Sequence, residues 1–130
     1  MITGIGTDIL ETERMRSAIQ RHGDRFLLHV FTPEEVSSAP SGPARDAYFA
    51  ARWAAKEAVA KALGTGIGGD CAWTDITVRR GLAGEPLVHL SGCALNTARR
   101  RGIERIHLSL SHERNLAAAV AVAERLRDQV

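Results

Sequence analysis

The stretch Phe49-Ala50-Ala51-Arg52-Trp53-Ala54-Ala55-Lys56-Glu57-Ala58-Val59-Ala60-Lys61-Ala62-Leu63-Gly64 decides the fold. Alanine, lysine, arginine, glutamate and leucine are the residues that lose least on entering a helix. They predict one long helix over Ala44 to Leu63, ended by Gly64. Phe49, Trp53, Glu57 and Lys61 follow one another at i+4, so they form a single row on that helix. Two readings of the row stay open. Glu57 and Lys61 are a surface ion pair, worth about 0.3–0.5 kcal/mol. Alternatively, Glu57 continues an aromatic stripe, is partly buried, and needs a partner or a metal.

Outward from this helix the chain reads as follows. Upstream, Ser37 to Ala44 carries Pro40, Gly42 and Pro43 and is a loop. Thr32-Pro33-Glu34-Glu35 has the form of a helix start, with a capping threonine, proline in the first turn and acids behind it. Phe26 to Val30 has helical character. Glu11 to Arg21 predicts a helix with Thr12 as N-cap, Met15, Ala18, Ile19 and His22 on its apolar side, and Gly23 at its end. Arg14, Arg21 and Arg25 share a solvent face if the helix persists past Gly23. Met1 to Leu10 reads as a strand in which Gly4 and Gly6 allow close backbone approach.

Downstream, Gly64-Thr65-Gly66-Ile67-Gly68-Gly69 is a flexible loop. Trp73 to Arg80 and Glu85 to Leu90 flank Gly81-Leu82-Ala83-Gly84 and predict a hairpin. Ser91 caps a helix running to Arg101, with Gly102 behind it. Ile106 to Ser111 and Ala117 to Ala123 alternate and form a second hairpin around His112-Glu113-Arg114-Asn115. The order β-α-α-α-β-β-α-β-β argues for an α+β fold: one domain over residues 1–130, a mostly antiparallel sheet with helices packed on it.

Composition narrows the function. The 130 residues carry 17 basic and 15 acidic side chains, a formal net charge of +2. That is too mild for a dedicated nucleic-acid binder. A polyanion-binding module using the arginines of 14–25 and 99–105 is the rival reading. It lacks exposed aromatics for stacking, with Tyr48 the only tyrosine. Cys71 and Cys93 form no CxxC and have no zinc spacing, so they are expected to be free, buried thiols. Arg99-Arg100-Arg101 is expected to be a solvated helix end. No signal peptide and no apolar run of membrane-spanning length is legible. A soluble, cytoplasmic protein with no membrane partner is expected.

Several residues have side chains suited to chemistry. Asp8 follows two glycines near the end of the first strand; it is either a cap for the helix that begins near Glu11 or a carboxylate free to coordinate. The glycine loop after Lys61 is either a plain connector or a set of backbone N–H groups turned toward an anion. His107, Ser109 and Ser111 lie on one strand face, and Leu108 and Leu110 on the other. Ser111 and His112, as strand neighbours, point apart and make a poor nucleophile pair. Two carboxylates on rigid elements, a lysine one turn on and a glycine-rich loop together match the way Mg²⁺ is held beside a phosphate.

These segments also form a resemblance. Gly4-Ile5-Gly6-Thr7-Asp8-Ile9, Ala51-Arg52-Trp53-Ala54-Ala55-Lys56-Glu57-Ala58, Lys61-Ala62-Leu63-Gly64-Thr65-Gly66-Ile67-Gly68, Trp73-Thr74-Asp75-Ile76, Gly84-Glu85-Pro86 and Ser109-Leu110-Ser111-His112 resemble, in order, the holo-acyl-carrier-protein synthase family. These are the small, bacterial-type 4′-phosphopantetheinyl transferases. The resemblance implies the 4′-phosphopantetheinyl transferase fold. It also implies transfer of phosphopantetheine from coenzyme A to a serine of apo acyl carrier protein in fatty acid biosynthesis, with release of adenosine 3′,5′-bisphosphate. It implies Mg²⁺ on Asp8 and Glu57, with Asp8, Glu57 and Lys61 catalytic. Coenzyme A contacts would come from Lys61, Gly64, Thr65, Gly66, Arg52, Ser111 and His112. Carrier docking would fall on Arg14, Met15, Arg21 and Arg25 of the first helix. It further implies a homotrimer whose sites lie between subunits. Trp53 stands where the family more often has Phe. The broad-specificity transferases of secondary metabolism resemble two such domains fused and are expected to be longer than this chain.

Overall fold

The structure is a computed structural model and describes residues 1–126. The elements are β1 (Ile2–Glu11), α1 (Thr12–Val30), α2 (Pro33–Ser38), α3 (Ala44–Ala62), β2 (Ile76–Arg80), β3 (Pro86–Leu90), α4 (Gly92–Arg100), β4 (Arg105–Glu113) and β5 (Leu116–Glu124). The expected order is reproduced. The strands form two antiparallel sheets rather than one, β1-β5-β4 and β2-β3. Trp73–Asp75, expected to open a strand, is a 3₁₀ turn.

α3 is the axis on which the main sheet rests. Its alanines at 50, 51, 54, 55, 58, 60 and 62 are all buried. A helix surfaced with methyl groups lets a strand come close, and the strand answers with glycine. A Cβ on Gly6 would sit 1.9 Å from the carbonyl oxygen of Ala58, and one on Gly4 would sit 2.0 Å from that of Ala62. No side chain fits at either position. On β5 the facing residues are again small: Ala117, Ala119, Ala121 and Ala123 are buried. Burial of this apolar surface is the main stabilising term.

A polar knot closes the other side of α3. Lys56 and Glu35 are both 0% exposed, with Nζ 2.7 Å from Oε1. Lys56 Nζ also donates to the carbonyl oxygens of Val30 (2.9 Å), Trp73 (3.0 Å) and Ile76 (2.7 Å). Glu35 Oε1 accepts from Thr32 N–H (2.9 Å) and Oε2 from Val78 N–H (2.8 Å). A buried charge is tolerated only with partners on every side. The capping box expected at Thr32 is present, with Glu35 N–H donating back to Thr32 Oγ1 at 3.3 Å. Its acid does a second job that sequence reasoning did not foresee.

Several local expectations are corrected. Thr12 is the first helical residue, not a cap. Its N–H donates to the Asn115 carbonyl, and its buried hydroxyl meets no partner among the described residues. Gly23 (φ 56°) does not end α1 but kinks it, and helix resumes at once. Arg14 and Arg21 therefore share a regular helix face, while Arg25 lies past the kink; all three are exposed. Ser91 donates to the Asp75 carbonyl instead of capping α4. The Asp75 carboxylate takes that role by accepting from Ala94 N–H. Gly102, at φ 69°, follows the end of α4 as expected. Cys71 is buried but Cys93 is exposed. Arg101 is not simply solvated: its guanidinium donates to the carbonyl of Leu63 at the end of α3. Among the described residues no helix is long and apolar enough to cross a membrane.

Candidate active site

Strand residues two apart share a face, so Asp8 is the next side chain after Gly4 and Gly6 on the side of β1 that meets α3. It lies within the strand, paired with Ala119, which removes the helix-cap reading. The glycine contacts run down α3, from Ala62 to Ala58. That direction carries Asp8 toward the helical turn over which Glu57 leans, because helical side chains tilt toward the N-terminus. The close approach that glycine permits is what brings the two carboxylates together.

Lys61 does not pair with Glu57. Its Nζ donates to the Thr7 carbonyl (2.9 Å) and reaches Asp8 Oδ1 at 3.4 Å. The surface-pair reading is therefore replaced by a bridge from helix to strand. Along the i+4 row, burial decreases in order: Phe49 is buried, Trp53 and Glu57 half-buried, and Lys61 exposed. Burial pushes the Glu57 carboxyl above its ordinary value, the Asp8 charge adds to the shift, and Lys61 opposes it. A half-buried carboxylate whose charge is disfavoured by burial and by a neighbouring carboxylate suits a divalent cation. Mg²⁺ fits this donor set, since it takes one or two carboxylates and completes its shell with water and phosphate.

The glycine loop is arranged differently from an anion cradle. The N–H of Gly64 donates to the Lys61 carbonyl, and those of Thr65 and Gly66 both donate to Ala60. These three amides satisfy the end of α3. Of the two readings of this loop, these bonds favour the connector for these three amides.

Arg52, Ser111 and His112 are not gathered at Asp8. Arg52 and His112 line a separate cleft of about 690 Å³, walled by α2, the loop through Pro40, α3 and β2. Arg79 and Arg80 are there too; Arg79 is paired with Glu34 at 2.8 Å, so the positive charge of the cleft rests on Arg52 and Arg80. Arg52 lies over the Tyr48 ring at 3.9 Å, and its buried Nε has no partner among the described residues. Burial draws the Arg52 guanidinium below its ordinary value, and the neighbouring charge of Arg80 acts the same way. Ser111 is exposed next to His112 on β4. The loop between α2 and α3, which had no role in the sequence, is one wall of this cleft.

On α1, Met15 is only 2% exposed. It is the floor of a small groove of about 120 Å³, lined also by Leu10, Arg14, Ala18, Phe26 and Trp53. Trp53 stacks on Phe26, with centroids 6.0 Å apart.

In this antiparallel α+β unit an acid pair and a lysine meet at a glycine-mediated strand–helix contact. The pattern of the 4′-phosphopantetheinyl transferase superfamily matches residues 4–121, and the chain belongs to that family. It is 49% identical to the holo-[acyl-carrier-protein] synthase of Desulforudis audaxviator, over 95% of this chain and 93% of that one. Its fold is similar to the crystal structure of the Neisseria meningitidis holo-[acyl-carrier-protein] synthase. The TM-score is 0.89 at 37% identity, covering 96% of this chain and 100% of the other. It is also similar to the Bacillus anthracis synthase in complex with CoA (3′,5′-ADP), with TM-score 0.82 and 35% identity over 97% and 99% of the two chains.

Proposed function

We propose that this chain transfers 4′-phosphopantetheine from coenzyme A to a serine of apo acyl carrier protein, as a single domain acting in the cytoplasm. The convergence of Asp8, Glu57 and Lys61 at the β1–α3 contact carries this reading. Asp8 and Glu57 would hold Mg²⁺. When bound, the ion neutralises charge on the coenzyme A pyrophosphate. Lys61, anchored on the Thr7 carbonyl, keeps an ammonium beside the same phosphates and stabilises charge developing on the leaving group. The serine oxygen bonds to the phosphorus bearing the pantetheine arm, the bond from that phosphorus to the adenosine bisphosphate oxygen breaks, and the hydroxyl proton passes to solvent. Adenosine 3′,5′-bisphosphate leaves.

Two further observations support a homotrimer. On the face of the main sheet turned away from α3, β1 and β5 leave apolar side chains uncovered: Ile5 and Ile9 are each 63% exposed and Val120 43%. The cationic cleft holding Arg52 and His112 is separate from the acid pair on the same chain. In a trimer one chain would supply Asp8, Glu57, Lys61 and the turn at Gly64 to Gly66. Its neighbour would supply Arg52, Ser111 and His112 to the nucleotide phosphate. The carrier, an acidic protein, would meet Arg14, Arg21 and Arg25, with an apolar side chain in the groove over Met15.

Mass spectrometry of an apo carrier incubated with coenzyme A, Mg²⁺ and this chain tests the proposal. A gain of one phosphopantetheine is expected, lost in Asp8→Ala and Glu57→Ala. No gain on any carrier would overturn the function, and full activity of either variant would overturn the metal assignment.

A further inference from the structure

Glu57 is aimed by its helix, so what fixes the roll of α3 matters to the chemistry. Lys56 precedes Glu57 and points about 100° away around the helix. Its ammonium is tied to the end of α1 through Val30, to the 3₁₀ turn through Trp73, to the start of β2 through Ile76, and to α2 through Glu35. No other side chain of α3 makes hydrogen bonds or ion pairs to so many elements among the described residues. A helix side chain reaches roughly 5–6 Å from the axis, so a 10° roll displaces its tip by about 1 Å.

Glu35 extends the same ties to the cationic cleft. It lies in the lining, and its backbone carbonyl accepts from the Tyr48 hydroxyl at 2.7 Å. The Tyr48 ring in turn carries the Arg52 guanidinium. One buried pair therefore touches the supports of both residue clusters. The pair is electrically neutral as a unit and adds little field of its own at either cluster, so its influence is geometric.

We propose that Lys56 and Glu35 are positioning residues for phosphopantetheine transfer: their buried contact sets the roll of α3 that aims Glu57 at Asp8 and holds the Tyr48 support of Arg52. This rests on the transferase reading above. Breaking the pair without leaving a buried charge should misplace Glu57 by a fraction of a turn, and a displacement near 1 Å can cost about 10²-fold in rate.

The test is the double variant Glu35→Leu/Lys56→Met, assayed with Tyr48→Phe and wild type for transfer from coenzyme A to apo carrier, alongside melting curves. In the double variant we expect kcat to fall by roughly ten- to a hundredfold at a temperature where it is fully folded. Tyr48→Phe should raise KM for coenzyme A severalfold and leave kcat nearly unchanged. A double variant that melts lower but keeps wild-type kcat and KM while folded would show the pair to be structural only, and would overturn the inference. If the double variant does not fold, Tyr48→Phe decides: an unchanged KM for coenzyme A overturns the link to the cleft, and a raised KM upholds it. Failure of the wild type to modify any carrier would instead overturn the transferase reading.

Discussion

Substitution of Gly6 by alanine should uncouple folding from activity. The added Cβ would lie 1.9 Å from the Ala58 carbonyl oxygen, and contacts below 3.0 Å are essentially never tolerated. Both sides of the clash are backbone, so no side chain can swing aside. β1 must retreat from α3 by about 1 Å. Such overpacking costs about 1–3 kcal/mol. Against a total stability of about 5–15 kcal/mol the protein stays folded. Its midpoint should drop by about 4 °C per kcal/mol for a chain of this length. The same retreat draws Asp8 away from Glu57, and a 1 Å error in a reacting constellation can cost about 10²-fold, or about 2.7 kcal/mol of barrier. The assay is carrier modification at a temperature well below the variant's midpoint, with circular dichroism confirming the fold. Gly69→Ala, which meets nothing within 4 Å, is the control and should behave as wild type. If Gly6→Ala keeps wild-type kcat and midpoint, the close strand–helix approach does not set the site.

Three other outcomes follow from the same geometry. Burial pushes the Cys71 thiol up to about 11, whereas Cys93 is exposed. A thiol reagent at neutral pH should label one cysteine in the folded protein and both in denaturant; two labelled in the fold would contradict the core. Arg14→Glu should raise KM for the acidic carrier severalfold and leave KM for coenzyme A near its wild-type value; an unchanged carrier KM would remove α1 from the docking surface. The raised Glu57 pKa has a definite sign. The metal-free fold holds this proton to higher pH than the unfolded chain does, so the associated stability is complete below the ordinary glutamate value and is lost as pH rises through the raised one. Mg²⁺ favours the ionised form, so its stabilising effect should grow across that window. A Mg²⁺-induced midpoint shift independent of pH would refute Glu57 as a ligand.

Much of the fold is local and was readable as such. The α3 helix follows from alanine content and its end from Gly64; the capping box at Thr32 and both hairpins follow from turn and cap chemistry. The failures are also local signals, outvoted by neighbours. Thr12 has cap chemistry, but the Asn115 carbonyl takes its N–H and helix begins at the threonine itself. Ser91 lost its capping role to Asp75, which the 3₁₀ turn carries to the start of α4. The glycine loop had the composition of a phosphate cradle, but its first amides close the helix before it. The i+4 spacing of Glu57 and Lys61 suggested a pair, yet a strand 53 residues away in sequence offered Lys61 a carbonyl and a carboxylate.

The sequence alone supplied the candidate residues: an aspartate behind two glycines, a glutamate and a lysine on one helical row, and arginines on the first helix. It also carried the resemblance that named their chemistry. The tertiary structure decided which of them meet. Gly4 and Gly6 announce only that backbone will come close; the fold shows that α3 is what approaches, and so that Asp8 faces Glu57 and Lys61. Likewise nothing in the spacing of Glu35 and Lys56 foretells their pairing, because a contact between distant residues depends on every turn between them. Residue type and period are local properties, whereas a site is a long-range one.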